Sequence, residues 1–407
     1  MKYDIVIVGG GIVGLFLANL LADKTSWKIA IIDPEFAQDL HPYDPLSAQI
    51  KTRIVSAINY LNIEKISAII DWQTLPQAAV SPFKKLEAWS YDSANSTMSF
   101  ACEEAGFPRL GDIVDNAALK YALSCKLRQS KIACLAEVYH SHSYMSGGEG
   151  VEITLSSANS LQATCIIASD GALSKVRAVA QFPVSYRDYH QEAIVCTVRS
   201  EKPHEQTASQ IFHQEGPLAF LPLHEAGMTC ATDAQHLSSL VWTVSEAFSH
   251  ELCAMDDVTF IRHLEQAFEY KLGALSLCDE RRAFPLFIAT SKNYVKDSII
   301  LVGDAAHHIH PLAGQGLNLG LADAAALAQM MLSGINTEHF CFDAVVFHRY
   351  QSARRAYNFS MLAAVELIQR TTRTKSLLLK GLMSRVFYSL NDKKAIKKHI
   401  MAFANGV

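Results

Sequence analysis

The chain has 407 residues, of which 50% are hydrophobic and 19% are charged. Disordered chains combine low hydrophobicity with high net charge, so this composition excludes disorder, and the length predicts two domains or one domain with a large insertion. The formal net charge of −4 gives no basic field to attract nucleic acid, which disfavours nucleic-acid binding as the function.

The first predicted elements are a buried strand and a buried helix joined by a glycine turn. Residues 5–22, IVIVGGGIVGLFLANLLA, carry no charge, which a signal peptide or a membrane span would also explain. Against that reading, Asp4 spoils the positive flank, no small-residue cleavage site follows cleanly, and three adjacent glycines would weaken a spanning helix. We therefore expect a parallel strand over 3–8, a helix over 12–23 and a second strand over 28–32.

Gly9, Gly11 and Gly14 form the pattern GxGxxG in this turn, and Asp33 follows the second strand, 19 residues after Gly14. In a dinucleotide-binding fold the first glycine permits the tight turn, the second lets a pyrophosphate approach the backbone, and the third lets helix and strand pack closely. The helix N-terminus offers free N–H groups to phosphates, and the acid can accept hydrogen bonds from a ribose. The arrangement predicts nucleotide binding but does not choose between NAD and FAD.

The middle of the chain is predicted to be rich in strands. A hairpin is expected over 84–102 with the letters SAN at its turn, and residues 165–177, CIIASDGALSKVR, run from a strand through Asp170 and Gly171 towards a short helix. Taken alone, an ordinary strand-to-helix turn with Ser174 as a capping or turn residue explains the latter segment. Short strands follow at 192–198, 209–213, 218–223, 228–232 and 239–245. A helix over 256–273, capped by Asp256 or Asp257, comes next.

A third glycine-bearing segment covers residues 298–320, SIILVGDAAHHIHPLAGQGLNLG. A strand ends at Gly303-Asp304, a loop continues through Pro311, and a helix begins at the Gly314-Gln315-Gly316 sequence and runs to about residue 332. The helix is rich in alanine and leucine, so its small residues permit close approach to a neighbouring element. We expect its N-terminus to face an electron-rich group.

Cysteine and histidine spacing gives no metal site. The nine cysteines include no CxxC pair, which favours reduced thiols in a cytosolic protein over disulfides or a zinc ribbon. His307, His308 and His310 lie close together, but the spacing HHxH suits neither one helix face nor a zinc finger. Asp304 is the one acidic ligand near them. We interpret the histidines as loop residues with polar packing roles and expect no metal.

The C-terminal segment 370–400 is basic. It has nine cations and one acid, Asp392, so its balance is +8 and the rest of the chain carries −12. The cations are Arg370, Arg373, Lys375, Lys380, Arg385, Lys393, Lys394, Lys397 and Lys398. Apolar residues interleave with them, which suits an amphipathic helix on an anionic membrane or a partner protein. A helix packed on the protein with a solvated basic face explains the pattern equally well.

Together these segments resemble the class A FAD-dependent aromatic hydroxylases, which have the para-hydroxybenzoate hydroxylase fold, and within them the ubiquinone-biosynthesis hydroxylases. GGGIVG, ASDGALSKVR and GDAAHHIHPLAGQGLNLGLADA are similar to the family's cofactor motifs. TRIVSAIN, LAFLPL and AFPL are similar to further segments of the subfamily. One departure is Asp33, where the family usually has glutamate, although the shorter acid still reaches a ribose.

The resemblance implies a set of cofactor-binding residues. They are Gly9, Gly11, Gly14, Asp33, Arg53, Asp170, Gly171, Gly303, Asp304, Pro311, Gly314, Gln315, Gly316 and Asn318. By resemblance the N-terminal glycines would hold the pyrophosphate, and Arg53 would lie near the flavin phosphates. Asp304 would hold the ribityl chain or the neighbourhood of its phosphate. The backbone from Gly314 to Asn318 would face the flavin pyrimidine, with Pro311 beside the ring. Phe220, Pro222 and Trp242 are weak candidates for an aromatic or prenyl pocket, since a plain sheet core explains each slightly better.

The implied fold is α/β, with a discontinuous Rossmann-like FAD-binding domain, an inserted antiparallel-sheet substrate domain and a C-terminal helical segment. We expect the FAD-binding domain at 1–75, 105–182 and 281–336. The substrate domain is expected at 76–104 and 183–280, and the helical region at 337–407. Because only one full GxGxxG is present, the nicotinamide would bind transiently without a Rossmann domain of its own.

The resemblance implies an FAD-dependent monooxygenase. It would hydroxylate the ring of a polyprenylated phenol in ubiquinone biosynthesis, using NADPH or NADH and O2 through a flavin hydroperoxide. Hydroxylation of another aromatic compound, an isoprenoid reductase or epoxidase, and a non-catalytic flavin-binding scaffold subunit are the alternatives. We expect a cytoplasmic location, with peripheral contact at the inner face of the membrane or with other ubiquinone-biosynthesis proteins as a further hypothesis. The proton-transfer residue and a homo-oligomeric state are left open.

Overall fold

The computed structural model describes residues 1–38, 53–91, 97–146, 150–213, 215–225, 235–309, 314–372 and 394–405. The strands in these residues are β1 (Lys2–Val8), β2 (Ile29–Ile32), β3 (Val55–Asn59), β4 (Val80–Phe83), β5 (Lys85–Ser90), β6 (Met98–Ala101), β7 (Gly111–Asp115), β8 (Ala133–Leu135), β9 (Tyr139–Tyr144), β10 (Val151–Leu155), β11 (Ser160–Ala168), β12 (Val184–Ser200), β13 (Thr207–His213), β14 (Gly216–Leu223), β15 (Leu237–Ser245), β16 (Leu275–Leu277), β17 (Arg282–Ser291), β18 (Val295–Lys296), β19 (Ile299–Leu301) and β20 (His307–His308). The α-helices are α1 (Ile12–Ala22), α2 (Tyr60–Ser67), α3 (Cys102–Ala105), α4 (Asn116–Arg128), α5 (Lys175–Val179), α6 (Glu246–Ala254), α7 (Asp257–Ala267), α8 (Gln315–Gly334), α9 (Ala344–Thr372) and α10 (Lys394–Asn405).

The first sheet is mainly parallel and carries the N-terminal glycine turn. Its strand order is β18-β19-β11-β1-β2-β8, and β10 and β9 extend it from β11 by antiparallel pairing. β1 pairs in parallel with β2 and β11, and its residues Ile5, Val6 and Ile7 are fully buried because α1 and α8 pack in the same core. The parallel strands β1, β11 and β19 end at one edge, so the loops that follow them meet there.

The second sheet is mainly antiparallel and lies across from this edge. Its order is β20-β17-β12-β15-β14-β13-β5-β6, with β16 paired to β12 and one parallel pair, β13 with β5. One face packs on α6 and α7 in a core that contains Phe220, Trp242 and Phe260. The opposite face is therefore the one that can line a cavity. A third, small antiparallel sheet has the order β3-β7-β4.

The predicted fold class is confirmed, and the predicted elements agree closely with the observed ones. β5 and β6 form the predicted hairpin, and the strands predicted at 192–198, 209–213, 218–223 and 239–245 lie within β12, β13, β14 and β15. The SAN turn and the strand predicted at 228–232 lie outside the described residues. The side chain of Asp256 accepts a hydrogen bond from the N–H of Thr259 at 3.0 Å, as expected of a helix cap.

The end of one predicted helix differs from the observed end. The helix predicted over 256–273 ends at Ala267, since Glu269 and Tyr270 have positive φ angles that a helix does not allow. The strand Arg282–Ser291, which we assigned to the FAD-binding domain, pairs with β12 in the second sheet. The domain boundaries themselves stay a prediction.

Two further properties of the described residues bear on function. None of their helices is long and apolar enough to cross a membrane. The eight cysteines in the described part of the chain form no disulfide with one another.

A buried histidine in the connection between β12 and β13 makes folding stability depend on pH. His204 is 8% exposed, its Nε2–H donates to the carbonyl oxygen of Leu223 at 3.3 Å, and its Nδ1 accepts from the N–H of Gln206 at 3.1 Å. These bonds fit the neutral imidazole, and burial lowers the pKa of His204 to about 4. The unfolded chain, with a histidine pKa of about 6.5, therefore takes up the proton first.

We expect the stabilisation from neutral His204 to be complete above pH 6.5 and to disappear as the pH falls to 4. In His204→Gln, the loss of unfolding free energy between pH 7 and pH 4 should be smaller by about 3 kcal/mol. Urea denaturation at fixed pH values measures the difference, with His250→Gln at an exposed position as the control. Equal pH dependence in wild type and His204→Gln would contradict this assignment.

Candidate functional site

The turn after β1 gives its three glycines different surroundings. Gly9 has a φ of +106°, which is strained for a residue with a side chain, and its carbonyl accepts a hydrogen bond from the Ser169 hydroxyl at 2.9 Å. A Cβ on Gly14 would lie 2.0 Å from the carbonyl oxygen of Gly9, so α1 approaches the turn this closely only with glycine there. A Cβ on Gly11 would meet no atom within 4 Å. Gly11 also lines a cavity of about 890 Å³ between the two large sheets. The geometry is compatible with the three predicted roles.

Asp33 holds the glycine turn from the end of β2. Its Oδ2 accepts from the N–H of Gly10 at 2.7 Å, and its Oδ1 accepts from the N–H of Glu35 at 2.9 Å. Each carboxylate oxygen accepts more than one hydrogen bond, so these contacts leave room for a ribose hydroxyl. The ribose contact itself stays a prediction.

The Asp-Gly segment after β11 is fixed by its own hydrogen bonds. Oδ2 of Asp170 accepts from the N–H of Val176 at 3.1 Å, and burial raises the pKa of Asp170. Ser174 caps the short helix by accepting from the N–H of Arg177 at 3.0 Å, as predicted. Gly171 lines the cavity, whereas Asp170 does not. Asp170 therefore stabilises the conformation of the loop, and Gly171 is the residue of this pair that lines the cavity.

A buried carboxylate on α8 joins three segments of the site. Oδ1 of Asp323 accepts from Nε of Arg354 at 2.6 Å and from Nδ2 of Asn358 at 3.1 Å, while Oδ2 accepts from the N–H of Gly303 at 3.3 Å and contacts Nε2 of His307. Burial alone would raise the pKa of Asp323, but His307 and Arg354 hold it below its ordinary value. The network ties the loop that carries Asp304 to α8 and α9. Sequence reasoning missed it, although Asp323 is the one charged residue in α8.

The start of α8 is held against β3 by asparagine side chains. Nδ2 of Asn318 donates to the carbonyl oxygen of Ala57 at 2.7 Å, and its Oδ1 accepts from the N–H of Asn59 at 3.0 Å and from Nδ2 of Asn62 at 3.1 Å. The Asn318 side chain is thus engaged by protein groups. Gly314, which has a φ of +61°, lines the cavity together with Gln315 and Gly316. The backbone at this helix start is the part available to a ligand.

Arg53 lies beside the site without lining the cavity. It is 5% exposed, and its Nη1 donates to the carbonyl oxygen of Ala78 at 3.2 Å. Its Nε and Nη2 have no hydrogen-bond partner in the described part of the chain. Two unpaired guanidinium nitrogens are compatible with an anionic partner. Pro311 and His310 fall outside the described residues.

These elements surround one cavity of about 890 Å³ that lies between the two large sheets. The loop and helix-start side includes Gly11, Ser169, Gly171, Asp304, Gly314 and Gly316. The side from the second sheet includes Ala193, Val195, Ala219, Leu221, Val241 and Thr243. The cavity is therefore polar where the nucleotide-binding motifs end and mostly apolar and lined by small residues opposite them.

The weak pocket candidates Phe220, Pro222 and Trp242 do not line the cavity, which agrees with the slightly favoured explanation of a plain sheet core. Successive side chains of a strand point to opposite faces, and Phe220 and Trp242 lie on the face that packs against α6 and α7. Pro222 shares that face by the same alternation. Their neighbours Leu221 and Val241 line the cavity instead. The strands were predicted correctly, but which face meets the cavity depends on where α6 and α7 pack.

The two described histidines of the HHxH cluster have carboxylate partners. Nε2 of His307 contacts the buried Asp323, and Nδ1 of His308 lies 3.0 Å from Oδ2 of Asp304. The imidazoles therefore point to different acids, and they do not converge on one point as ligands of a shared metal ion would. His308 lines the cavity, whereas His307 is 1% exposed.

The residues present fit a flavin dinucleotide. A Cβ at Gly11, Gly171 or Gly316 would meet nothing within 4 Å, so backbone is open to a ligand at three places around the cavity. The starts of α1 and α8 supply free N–H groups and positive dipole ends for negatively charged parts of a ligand. The volume of the cavity is larger than a phosphate group requires, because the cavity continues from the glycine-bearing loops along the face of the second sheet.

The chain is similar in sequence and in structure to known proteins. The family described as FAD binding domain matches residues 127–358, which is more than half of the chain. The chain is 30% identical to 3-demethoxyubiquinol 3-hydroxylase of Escherichia coli, over 89% of this chain and 88% of that protein. It is 28% identical to the mitochondrial ubiquinone biosynthesis monooxygenase of Xenopus tropicalis, over 99% of this chain and 93% of that protein. A similar solved structure is p-nitrophenol 4-monooxygenase of Pseudomonas putida, with a TM-score of 0.74 and 16% identity, covering 100% of this chain and 99% of that one.

Proposed function

Since the chain belongs to the FAD-binding domain family, among the FAD-dependent monooxygenases related to the ubiquinone hydroxylases, we propose that it hydroxylates the aromatic ring of a polyprenylated phenol in ubiquinone biosynthesis. NADPH or NADH would donate the electrons, and O2 would supply the oxygen atom. One observation carries this proposal. A single cavity joins the three glycine-bearing loops of the first sheet to the apolar face of the second sheet.

The loop side of the cavity suits the cofactor. Bound FAD would supply electron transfer from the nicotinamide and the activation of O2. Gly11 and the start of α1 would receive the pyrophosphate, because the backbone there is open and its N–H groups are free. The backbone N–H groups at Gln315 and Gly316 would stabilise negative charge on the flavin ring through the positive end of the α8 dipole.

The sheet side of the cavity suits an aromatic substrate with an apolar tail. Ala193, Val195, Ala219 and Val241 present small or branched apolar side chains, which leave volume for a ring and exclude water from the reacting atoms. Ile54 and Leu173 line the same cavity and are 49% and 81% exposed. An apolar path from the interior to the surface is what a prenyl chain requires when it is longer than the cavity.

The direct test uses the purified protein loaded with FAD. We expect consumption of O2 that depends on NADPH or NADH and on a short-chain prenylated phenol, with a product heavier by one oxygen atom. A strain that lacks the gene should accumulate a quinone precursor, whose mass identifies the hydroxylated position. Substrate reduction without O2 would indicate a reductase, and oxygen insertion at an isolated double bond would indicate an epoxidase. Flavin binding without turnover of any phenol, together with normal quinone in the deletion strain, would remove the proposal.

We also propose that the basic segment 370–400 contacts an anionic membrane surface, where a polyprenylated substrate resides. Most of this segment lies outside the described residues. Within α10, Lys398 is exposed, whereas Lys397 is 4% exposed and forms an ion pair with Glu104 at 2.6 Å. Lys397 therefore contributes to packing of α10 and not to a surface charge.

We expect the protein to bind phosphatidylglycerol vesicles at low salt and to be released by high salt, since ions screen surface charge. Changing Lys393, Lys394 and Lys398 to glutamate should abolish vesicle sedimentation. The control changes Lys24, Lys28 and Lys202 to glutamate, because these lysines are exposed and lie outside the basic segment. Absence of binding at low salt would overturn this proposal and leave the enzymatic one untouched.

A further inference from the structure

Among the described residues that line the cavity, the ionisable side chains are Asp304 and His308. They form a pair, with Nδ1 of His308 3.0 Å from Oδ2 of Asp304. The His308 side chain is 25% exposed, so a ligand in the cavity can reach it. The remaining described lining residues include no lysine, tyrosine, glutamate or cysteine.

His308 is held in place from both sheets. Its backbone belongs to β20, where it pairs with Ala289 of β17, and its ring contacts that of Phe287 with the centroids 4.6 Å apart. Phe287 also lines the cavity. His308 therefore lies at the junction of the Asp304 loop with the second sheet, where the cofactor side and the substrate side of the cavity meet.

The partner of Nδ1 determines which ring nitrogen is free. A carboxylate only accepts hydrogen bonds, so contact with Asp304 places the hydrogen on Nδ1 and leaves Nε2 as an acceptor. Other charged and titratable groups near this pair are Arg177, which donates to the carbonyl oxygen of Ala305 at 2.8 Å, and Tyr186, whose ring contacts Phe287. In the described part of the chain, neither forms a hydrogen bond or a ring contact with the imidazole. Among the described residues, Nε2 of His308 has no hydrogen-bond partner. An oriented neutral imidazole with an available Nε2 is the arrangement of a general base.

We propose that His308 is the proton acceptor for the substrate phenol and that Asp304 orients it. The inference rests on the proposed function, aromatic hydroxylation. In the step, the phenolic O–H bond breaks, its electron pair stays on the oxygen, and an Nε2–H bond forms. The phenolate ring is richer in electrons and reacts more readily with an electrophilic oxygen atom. Asp304 stabilises the imidazolium, which later releases the proton to water.

The test replaces His308 with glutamine in the full-length protein loaded with FAD. We expect kcat at pH 7 to fall on the order of 100-fold, the size typical of general-base catalysis, with an unchanged KM and flavin spectrum. The pH–rate profiles of wild type and His308→Gln should differ in shape, because only the wild type has a side chain that removes the phenolic proton. The rate of the variant should recover near pH 10, where a phenol ionises by itself.

A second measurement does not depend on turnover. Ultraviolet difference spectra report whether a 2-prenylphenol bound to the holoprotein is phenol or phenolate. We expect the bound phenol to ionise at lower pH in wild type than in His308→Gln, and His339→Gln, at an exposed position, to behave as wild type. Identical ionisation in wild type and His308→Gln would overturn the assignment of His308, even with hydroxylation intact. Ionisation that depends on His308, without oxygen insertion, would overturn the proposed function and keep the proton acceptor.

Discussion

Asp323→Ala should lower the free energy of unfolding by about 3–5 kcal/mol, because it removes one partner of a buried ion pair and leaves the other unpaired. Asp323 is fully buried and accepts from Arg354, Asn358 and the N–H of Gly303. Arg354 is 9% exposed and would keep a desolvated charge without its carboxylate. Urea denaturation of the full chain at pH 7 measures the change.

Two variants frame the Asp323 result. Asp323→Asn keeps the shape of the side chain and one acceptor oxygen but loses the charge. Its free energy of unfolding should therefore lie between those of wild type and Asp323→Ala. Glu338→Ala removes an exposed acid from the connection between α8 and α9 and should change stability by less than about 0.5 kcal/mol. An Asp323→Ala protein as stable as Glu338→Ala would show that the network does not join α8 and α9 as described.

Gly14→Ala should lower the stability of the protein, whereas Gly11→Ala should lower its affinity for FAD. The Cβ of Gly14→Ala would collide with the carbonyl oxygen of Gly9 at 2.0 Å and with Oγ of Ser169 at 2.5 Å, and these two oxygens are hydrogen-bonded to each other. We expect a loss of about 1–3 kcal/mol of unfolding free energy without FAD, the usual cost of overpacking.

The Cβ of Gly11→Ala meets no protein atom, and its φ of −70° suits alanine. That variant should keep its stability and bind FAD at least about tenfold more weakly, since one lost contact of 1.4 kcal/mol changes affinity tenfold.

The comparison needs both measurements on both proteins. Stability comes from denaturation of the apoprotein, and FAD affinity from quenching of flavin fluorescence on titration. Gly11→Ala protein that binds FAD as tightly as wild type would remove the assignment of Gly11 to the cofactor. Gly14→Ala protein of unchanged stability would instead contradict the close contact between α1 and the turn.

Elements whose signals are local were predicted from the sequence alone. The run of β-branched residues before Gly9, the glycine spacing and Asp33 predicted β1, the turn, α1 and the end of β2, and these agree with the structure. Asp256 was one of two predicted caps, and Ser174 was predicted as a capping or turn residue. Both accept a backbone hydrogen bond at a helix start. These outcomes depend on neighbours within a few residues, which a sequence displays directly.

Features that join distant segments could not be predicted in the same way. Asn318 bonds to Ala57 and Asn59, more than 250 positions earlier, and Asp323 bonds to Arg354 across two helices. A side chain in a helix can point to any of several neighbours, and the packing of α8 on β3 and α9 selects among them. The roles of Asn318 and Asp323 therefore became visible only in the folded chain.

The local sequence motifs were sufficient to predict a nucleotide-binding protein. A phosphate-binding turn needs small residues at fixed spacing, and this spacing can be read directly from the sequence. Which residues form the substrate wall and which group accepts the proton were decided by tertiary structure. Alternation along β14 and β15 makes either face available, and only the packing of α6 and α7 turns Leu221 and Val241 to the cavity and Phe220 and Trp242 to the core. In the same way, His308 became a candidate base only when β20 paired with β17 and brought its ring to Phe287.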